Sequence, residues 1–306
     1  MTSPLLPLVL ALGLAQAPPS AVTMTVKARA FQPGELAIVS LTLRETPATV
    51  TLVAFGADVP VFRSGDDTWQ ALVGLDLDLE PGTYEWVAEA ALASGLVRQT
   101  HTVTVVPKRF ETRRLRVAPD FVNPPPETQV RIEAEALFLR AAYQRSTETR
   151  LWAAPFVLPV ADPVNSAFGR RSVFNGEARS PHAGADFLSP AGRPVKAPNA
   201  GRVVASRDLF FTGNTIIVDH GLGVFSMFAH LSRLDVAEGT MVEPGQLLGI
   251  VGATGRVTGP HLHWALRVGG ARVDPMSAIA TIRDAPAGLS PKPMSPEPIS
   301  MPPQSR

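Results

Sequence analysis

Glycine punctuates the second half of this sequence closely enough to restrict its fold. Gly192, Gly201, Gly213, Gly221, Gly223, Gly239, Gly245, Gly249, Gly252, Gly255 and Gly259 separate short apolar runs. Such spacing predicts a compact antiparallel β unit with tight turns, here spanning residues 155–282. Its candidate strands are 195–197, 202–205, 215–220, 224–229, 247–251 and 261–268. In the last of these, Leu262, Trp264, Leu266 and Val268 alternate with His261, His263, Ala265 and Arg267, and Pro260 suits a strand's first position. Successive side chains point to opposite faces of a strand, so His261 and His263 share a face while Trp264 turns to the core. An ordinary polar strand face would look the same. The pair acquires meaning only through partners elsewhere.

The first part of the chain has a different texture. Residues 21–107 alternate β-branched and aromatic runs with turn residues, which predicts an Ig-like β-sandwich serving as a spacer, binding or positioning module. Runs 22–28, 36–44, 49–55, 83–90 and 101–106 are its expected strands. His101 is its sole histidine and reads as a surface or strand residue. Residues 108–154 form a basic and proline-rich linker. The run 108–116 reads as a solvated connection, with contact to an anionic polymer or membrane surface as the alternative. A helix is predicted over 127–145, with Val130, Ala134, Leu137, Phe138 and Ala141 as its packing stripe and Arg131, Glu135 and Arg140 in water. That helix would act as a strut between the two β units. The Pro- and Ser-rich tail, 283–306, is expected to be disordered.

Composition excludes several kinds of protein. A net charge of +1 and the lack of a long basic run argue against a nucleic-acid partner. With no cysteine there are no disulfides, thiolate metal sites or cysteine nucleophiles. Residues 5–14 are apolar over a length suited to a signal peptide and too short to span a bilayer, and Ala15-Gln16-Ala17 follows as a small-x-small cleavage site. Residues 1–17 are therefore read as an export signal, although Lys and Arg are absent from its start. No later segment reads as transmembrane, and the sequence leaves the oligomeric state open.

All of the six histidines except His101 fall between His182 and His263. In His182-Ala183-Gly184-Ala185-Asp186 an imidazole and a carboxylate are read as converging across a glycine-containing turn. With one imidazole from His261 or His263 they make three nitrogen and oxygen ligands, leaving a fourth position open as in catalytic zinc sites. Such a metal activates water and polarises a carbonyl. No His-Glu-x-x-His helix supplies a glutamate base, so the remaining histidines are the candidate proton carriers.

His182-x-Gly-x-Asp186, Gly213-Asn214, Phe228-Ala229-His230-Leu231, Gly252-Ala253-Thr254-Gly255 and Gly259-Pro260-His261-Leu262-His263 resemble, in order and spacing, the motifs of the lysostaphin/LytM-type M23 zinc metallopeptidases. The resemblance covers residues 182–275 closely and 168–180 more loosely. It implies a mainly β chain with a C-terminal antiparallel M23 peptidase domain. It also implies one Zn2+ held by His182, Asp186 and His263, with His230 and His261 as the catalytic histidines. By analogy His261 is the general base and His230 stabilises the transition state, the two roles being exchangeable. The implied activity is hydrolysis of peptide bonds in bacterial peptidoglycan, at stem-peptide crosslinks or bridges, in the periplasm or cell wall. A non-catalytic M23-like regulator that activates another wall hydrolase is the alternative. His220 reads as structural, Asn214 as a turn residue, and Asn175 and Arg179 as groove wall or solvated loop.

Overall fold

The computed structural model describes residues 21–116, 125–153, 155–165 and 168–283. The expected signal stretch, 1–17, and the tail beyond residue 283 lie outside the described residues.

The first β unit contains β1 (Val22–Ala28), β2 (Leu36–Leu43), β3 (Thr49–Ala54), β4 (Ala57–Asp58), β5 (Val61–Arg63), β6 (Thr68–Gly74), β7 (Gly82–Leu92) and β8 (Gly95–Val105). They form two antiparallel four-stranded sheets, ordered β1-β2-β6-β5 and β4-β3-β7-β8. Met24, Ala37, Val39, Leu41, Ala71 and Val73 of one sheet share a core with Leu52, Ala54, Trp86, Ala88, Val103 and Val105 of the other. Alternation explains the choice of side chains: along β7, Trp86, Ala88, Ala90 and Leu92 point inward. Trp86 is fully enclosed, with Phe55 edge-on to it at 5.4 Å.

β2 breaks that alternation. Leu36, Ala37, Ile38 and Val39 are all buried, because Ala37 and Val39 face the shared core while Leu36 and Ile38 face the rest of the chain. On that second side Leu36, Ile38 and Leu72 pack against Trp152, Phe156, Val224, Leu266, Val268 and Val273. Strand β6, running through Trp69-Gln70-Ala71-Leu72-Val73, was not among the expected strands. It too is buried on both sides, so it lacks an alternating signature.

The remaining elements are β9 (Thr112–Leu115), α1 (Pro126–Gln144), β10 (Val164–Asn165), β11 (Arg171–Phe174), β12 (Glu177–Arg179), β13 (Gly184–Phe187), β14 (Pro194–Lys196), β15 (Gly201–Leu209), β16 (Gly213–Gly221), β17 (Val224–Leu234), β18 (Met241–Val242), β19 (Leu247–Val251), β20 (Leu262–Val268), β21 (Ala271–Val273) and α2 (Pro275–Arg283). A ten-stranded antiparallel sheet follows the path β10-β13-β20-β17-β16-β15-β18, with β19 joining β14 to β17 and β21 pairing with β20. Its core gathers Phe187, Ile216, Val218, Phe228, Leu231, Leu248, Val251, Leu262 and Trp264. A small fourth sheet, of three strands, pairs the hairpin β11–β12 with β9, which runs parallel to β11. Part of the expected solvated linker is thus a strand.

The helix differs from expectation in the face that it presents. Val130 and Leu137 are 72% and 64% exposed. Phe138 packs as expected, but its companions are Leu139 and Tyr143, all three against Ala205, Ile217 and Phe225 of β15, β16 and β17. Glu135, expected in water, is partly covered and accepts from the backbone N–H of Phe210 at 2.8 Å. The packing face is thus set by Phe138, Leu139 and Tyr143, with polar contacts from Arg131 and Glu135 beside it. The helix lies on the second unit, and Trp152 and Phe156, which follow it, fill the space between the two units.

Polar contacts reinforce that junction. Glu35, 2% exposed, accepts from Arg29 at 2.9 and 2.8 Å, from Lys108 at 2.9 Å and from Ser277 Oγ at 2.7 Å. Burial pushes its carboxyl upward, but these hydrogen bonds outweigh burial and hold it below the usual carboxylate range. Arg272 reaches across to Asp76 and Asp78.

Candidate metal centre

Three neighbouring strands assemble the centre. In the β13–β20 ladder Asp186 stands opposite His263, and in the β20–β17 ladder His263 stands opposite Ala229. Gly184, expected in a turn, instead opens β13. A side chain there would collide with its neighbours: a Cβ would lie 2.6 Å from both His263 Cε1 and the Trp264 carbonyl. Glycine therefore permits the strand to approach the histidine it must serve. His182, just before β13, is fixed by its backbone, its N–H donating to the Arg170 carbonyl at 3.0 Å and its carbonyl accepting from Gly169 at 2.7 Å.

The side chains converge on one carboxylate oxygen. His182 Nε2 lies 3.0 Å and His263 Nδ1 lies 2.9 Å from Asp186 Oδ1, and the two rings stand edge to face at 4.7 Å. All three ligand atoms fall within 4.8 Å of one another. Tetrahedral zinc with bonds of about 2.0–2.1 Å would separate its ligand atoms by roughly 3.3 Å, so the spacing and the N,N,O donor set fit. Burial raises the Asp186 carboxyl's affinity for a proton. Hydrogen bonds with His182 and His263 overcome it and keep the carboxyl well below its usual range. Burial lowers the His263 imidazole, with Asp186 opposing. Both effects favour the ligand-competent forms, an anionic carboxylate and a neutral imidazole.

His261 and His230 stand beside this trio. His261 Nε2 is 3.8 Å from Asp186 Oδ1, and the rings of His230 and His261 are 4.9 Å apart. Strand β20 begins at Leu262, so His261 occupies the extended approach to it rather than its first ladder position. The two side chains nevertheless face the same cluster. His261 Nδ1 lies 2.9 Å from the Gly259 carbonyl, and His230 Nδ1 lies 2.9 Å from the Thr254 carbonyl. A carbonyl can only accept, so both Nδ1 atoms carry hydrogen, which leaves Nε2 as the nitrogen able to accept a proton.

His230 owes its direction to an irregularity. Between Phe228 and Leu231 strand β17 has one more residue than the facing stretch of β16, from Ile216 to Asn214, and His230 has φ 65°. It is the one non-glycine residue with positive φ inside a strand among the described residues. Bulges of this kind re-aim side chains, at a conformational cost of about 1–2 kcal/mol. The bulge is pinned by His230 N–H donating to the Thr212 carbonyl and by Gly252 N–H donating to the His230 carbonyl. Burial, with His263 nearby, lowers the His230 pKa to about 4.

Thr254 is the residue whose role the sequence did not disclose. Its carbonyl holds His230, its Oγ1 donates to the Leu231 carbonyl at 2.8 Å, and that oxygen accepts from Asn214 N–H at 2.9 Å. Gly213, with φ 60°, makes the close approach possible, since a Cβ there would lie 2.2 Å from Thr254 Oγ1. Two glycine-marked motifs flanking a threonine were the available signal. His220 lies apart, fully buried, with Nδ1 2.7 Å from the Ala200 carbonyl and Nε2 2.9 Å from Ser226 Oγ. This matches its structural reading, and burial lowers its pKa to about 4. His101 sits on β8 opposite Trp86, and Asn175 at the exposed β11–β12 turn.

Two imidazoles and a carboxylate gathered on one point, with two further imidazoles alongside, form a group that could hold a metal ion on an antiparallel β scaffold. The profile of Peptidase family M23 matches residues 180–275, which include all five of these residues. A crystal structure from Pseudomonas aeruginosa, assigned to peptidase M23, is 37% identical with a TM-score of 0.65, covering 83% of this chain and 97% of that one. The chain belongs to peptidase family M23. Peptidoglycan DD-endopeptidase ShyA of Vibrio cholerae is 43% identical over 99 residues, 32% of this chain and 23% of that protein. DD-carboxypeptidase/endopeptidase Mpg of Neisseria meningitidis is 42% identical over 96 residues, 31% of this chain and 22% of that protein. These matches therefore span less than a quarter of either curated relative.

Proposed function

We propose that this chain is a zinc-dependent endopeptidase that hydrolyses peptide bonds in bacterial peptidoglycan. The observation that carries the reading is the approach of His182 Nε2 and His263 Nδ1 to Asp186 Oδ1, with His261 3.8 Å from the same oxygen. Zinc in that position supplies a Lewis acid that lowers the pKa of water and polarises a carbonyl. His261 accepts the proton through Nε2, the nitrogen left free by its bond to Gly259, and its place beside the ligands favours it over His230 as the base. His230, held by Thr254 and aimed by its bulge, stabilises charge developing on the substrate.

We assign residues 21–107 to a positioning module, 108–154 to the connector and 155–282 to the peptidase. Peptidoglycan as substrate accords with the names of ShyA and its kin, and it requires export to the periplasm or cell wall, for which 1–17 would be the signal. Among the described residues no helix is long and apolar enough to cross a membrane.

The test combines metal analysis with release of muropeptides from purified sacculi. One equivalent of zinc and release that a chelator stops and zinc restores are the expected results. Absence of both would point to the regulatory alternative. In His261→Ala, hydrolysis should disappear while zinc stays bound. Stoichiometric loss of zinc from that variant would overturn the assignment of His261 as the base.

A further inference from the structure

The loop after β19 carries a cation close in sequence to the residue that holds His230. Arg256 lies two residues beyond Thr254, the residue whose carbonyl holds His230, and its own N–H donates to the Phe211 carbonyl at 2.9 Å. Its guanidinium is 4.4 Å from the centre of the Phe211 ring and 6.0 Å from that of Phe174, the last residue of β11. Aromatic faces hold a guanidinium without neutralising it. Among the described residues no carboxylate forms an ion pair with Arg256. Arg179, at the end of β12 and three residues before His182, adds a second positive charge near it. Arg179 itself bonds Glu177 at 3.0 Å. Burial, then the like charge of Arg179, pulls Arg256 below the ordinary arginine range, an arrangement that an incoming anion would relieve.

A solvent-accessible arginine beside a structural core normally finds an acidic neighbour or open water. Here two aromatic rings, Phe211 and Phe174, flank it instead. Charge-assisted bonds to a carboxylate are frequently bidentate with arginine, and they discriminate more strongly than neutral contacts. A peptide bound across His261 and His230 would bring a group flanking its scissile bond toward this loop.

We propose that Arg256, supported by Arg179, binds a free carboxylate on the substrate next to the bond that is cut. The chain then selects peptides that are anionic at that position over neutral ones. This inference rests on the peptidase reading above and specifies the substrate class for the same centre.

The experiment uses the zinc-loaded full chain and two synthetic crosslinked peptide dimers, identical except that the carboxylate flanking the crosslink is free in one and a carboxamide in the other. The kcat/KM ratio of acid to amide should be roughly 10 to 100 for the native chain, the range expected of a hydrogen bond to a charged group. In Arg256→Gln the ratio should collapse toward one, with Arg256→Lys recovering part of it and Arg179→Gln giving a smaller loss. If Arg256→Gln slows both dimers equally and leaves the ratio intact, Arg256 braces the loop and the proposal falls. Calorimetric binding of the same dimers to His261→Ala separates the two readings. A binding preference for the acid without turnover by the native chain would sink the peptidase reading alone. Equal binding of acid and amide would sink the carboxylate site.

Discussion

The two β units of this chain use the same backbone geometry to different ends. In the first, the β7–β8 ladder keeps its register over its whole length, as do β1–β2 and β2–β6. In the second, the register shifts in β14–β19, β15–β16, β16–β17 and β17–β19. Regular ladders alternate side chains faithfully and pack a dry core. Shifted ladders turn individual side chains out of the alternation, and one such shift delivers His230 to the metal cluster. The second unit also encloses more polar side chains: His220, Asp219, Ser226 and Thr215 are all buried there. Irregularity and buried polar groups are costly for folding, and the register shift at His230 is one such cost met at the candidate site.

The largest expected effect isolates function from stability. Asp186→Asn keeps the shape of the side chain but removes the charge on which both imidazoles converge. Its zinc affinity should fall by more than the roughly 100-fold associated with losing an outer partner of a ligand, and hydrolysis should become undetectable. Circular dichroism should remain native. If the fold were lost as well, the cluster would be a stability element and the contrast between the units would break down.

Trp86→Ala should do the converse. Removing a fully enclosed indole from the first unit should destabilise the chain by about 3–5 kcal/mol in denaturant titration. Hydrolysis per folded molecule should persist. A selective loss of kcat at full stability would show that the first unit shapes the site directly.

A smaller and pH-dependent effect belongs to His220. Its folded pKa of about 4 lies below the ordinary value of 6.5, so the fold favours the neutral ring. The stability this contributes is present above pH 6.5 and is lost as pH falls toward 4, reaching about 3 kcal/mol in all. His230 and His263 are displaced in the same direction, so the acid sensitivity of the native chain is shared. His220→Gln should flatten, without abolishing, the fall of Tm between pH 6.5 and 4. An unchanged slope would mean that the ring is protonated in the fold without penalty.

Much of this architecture was legible because period-two alternation survives wherever one face of a strand is wet. The run from Leu262 to Val268 is such a case, and Trp264 lies in the core as its parity requires. The signal failed at β6, covered on both sides, and at β13, where Gly184 looked like a turn but serves close packing. It also failed on α1, whose apolar residues Val130 and Leu137 face outward while Arg131 and Glu135 bond to the strand-end segment at Asp208 and Phe210. For the metal centre, spacing and family resemblance named the five candidate residues that the structure brings together. The bulge at His230 and the brace at Thr254 were not legible, because they depend on how three separated segments meet.

Strand β2, covered on both faces, has a consequence for how the molecule comes apart. One row of its side chains closes the first core and the next row closes the surface formed by Val224, Leu266 and Val268. Pulling β2 away would wet two apolar layers at once. Heat or denaturant should therefore meet a single cooperative block, in which strand β20, the carrier of His263, is protected against local opening by a strand from the far side of the chain.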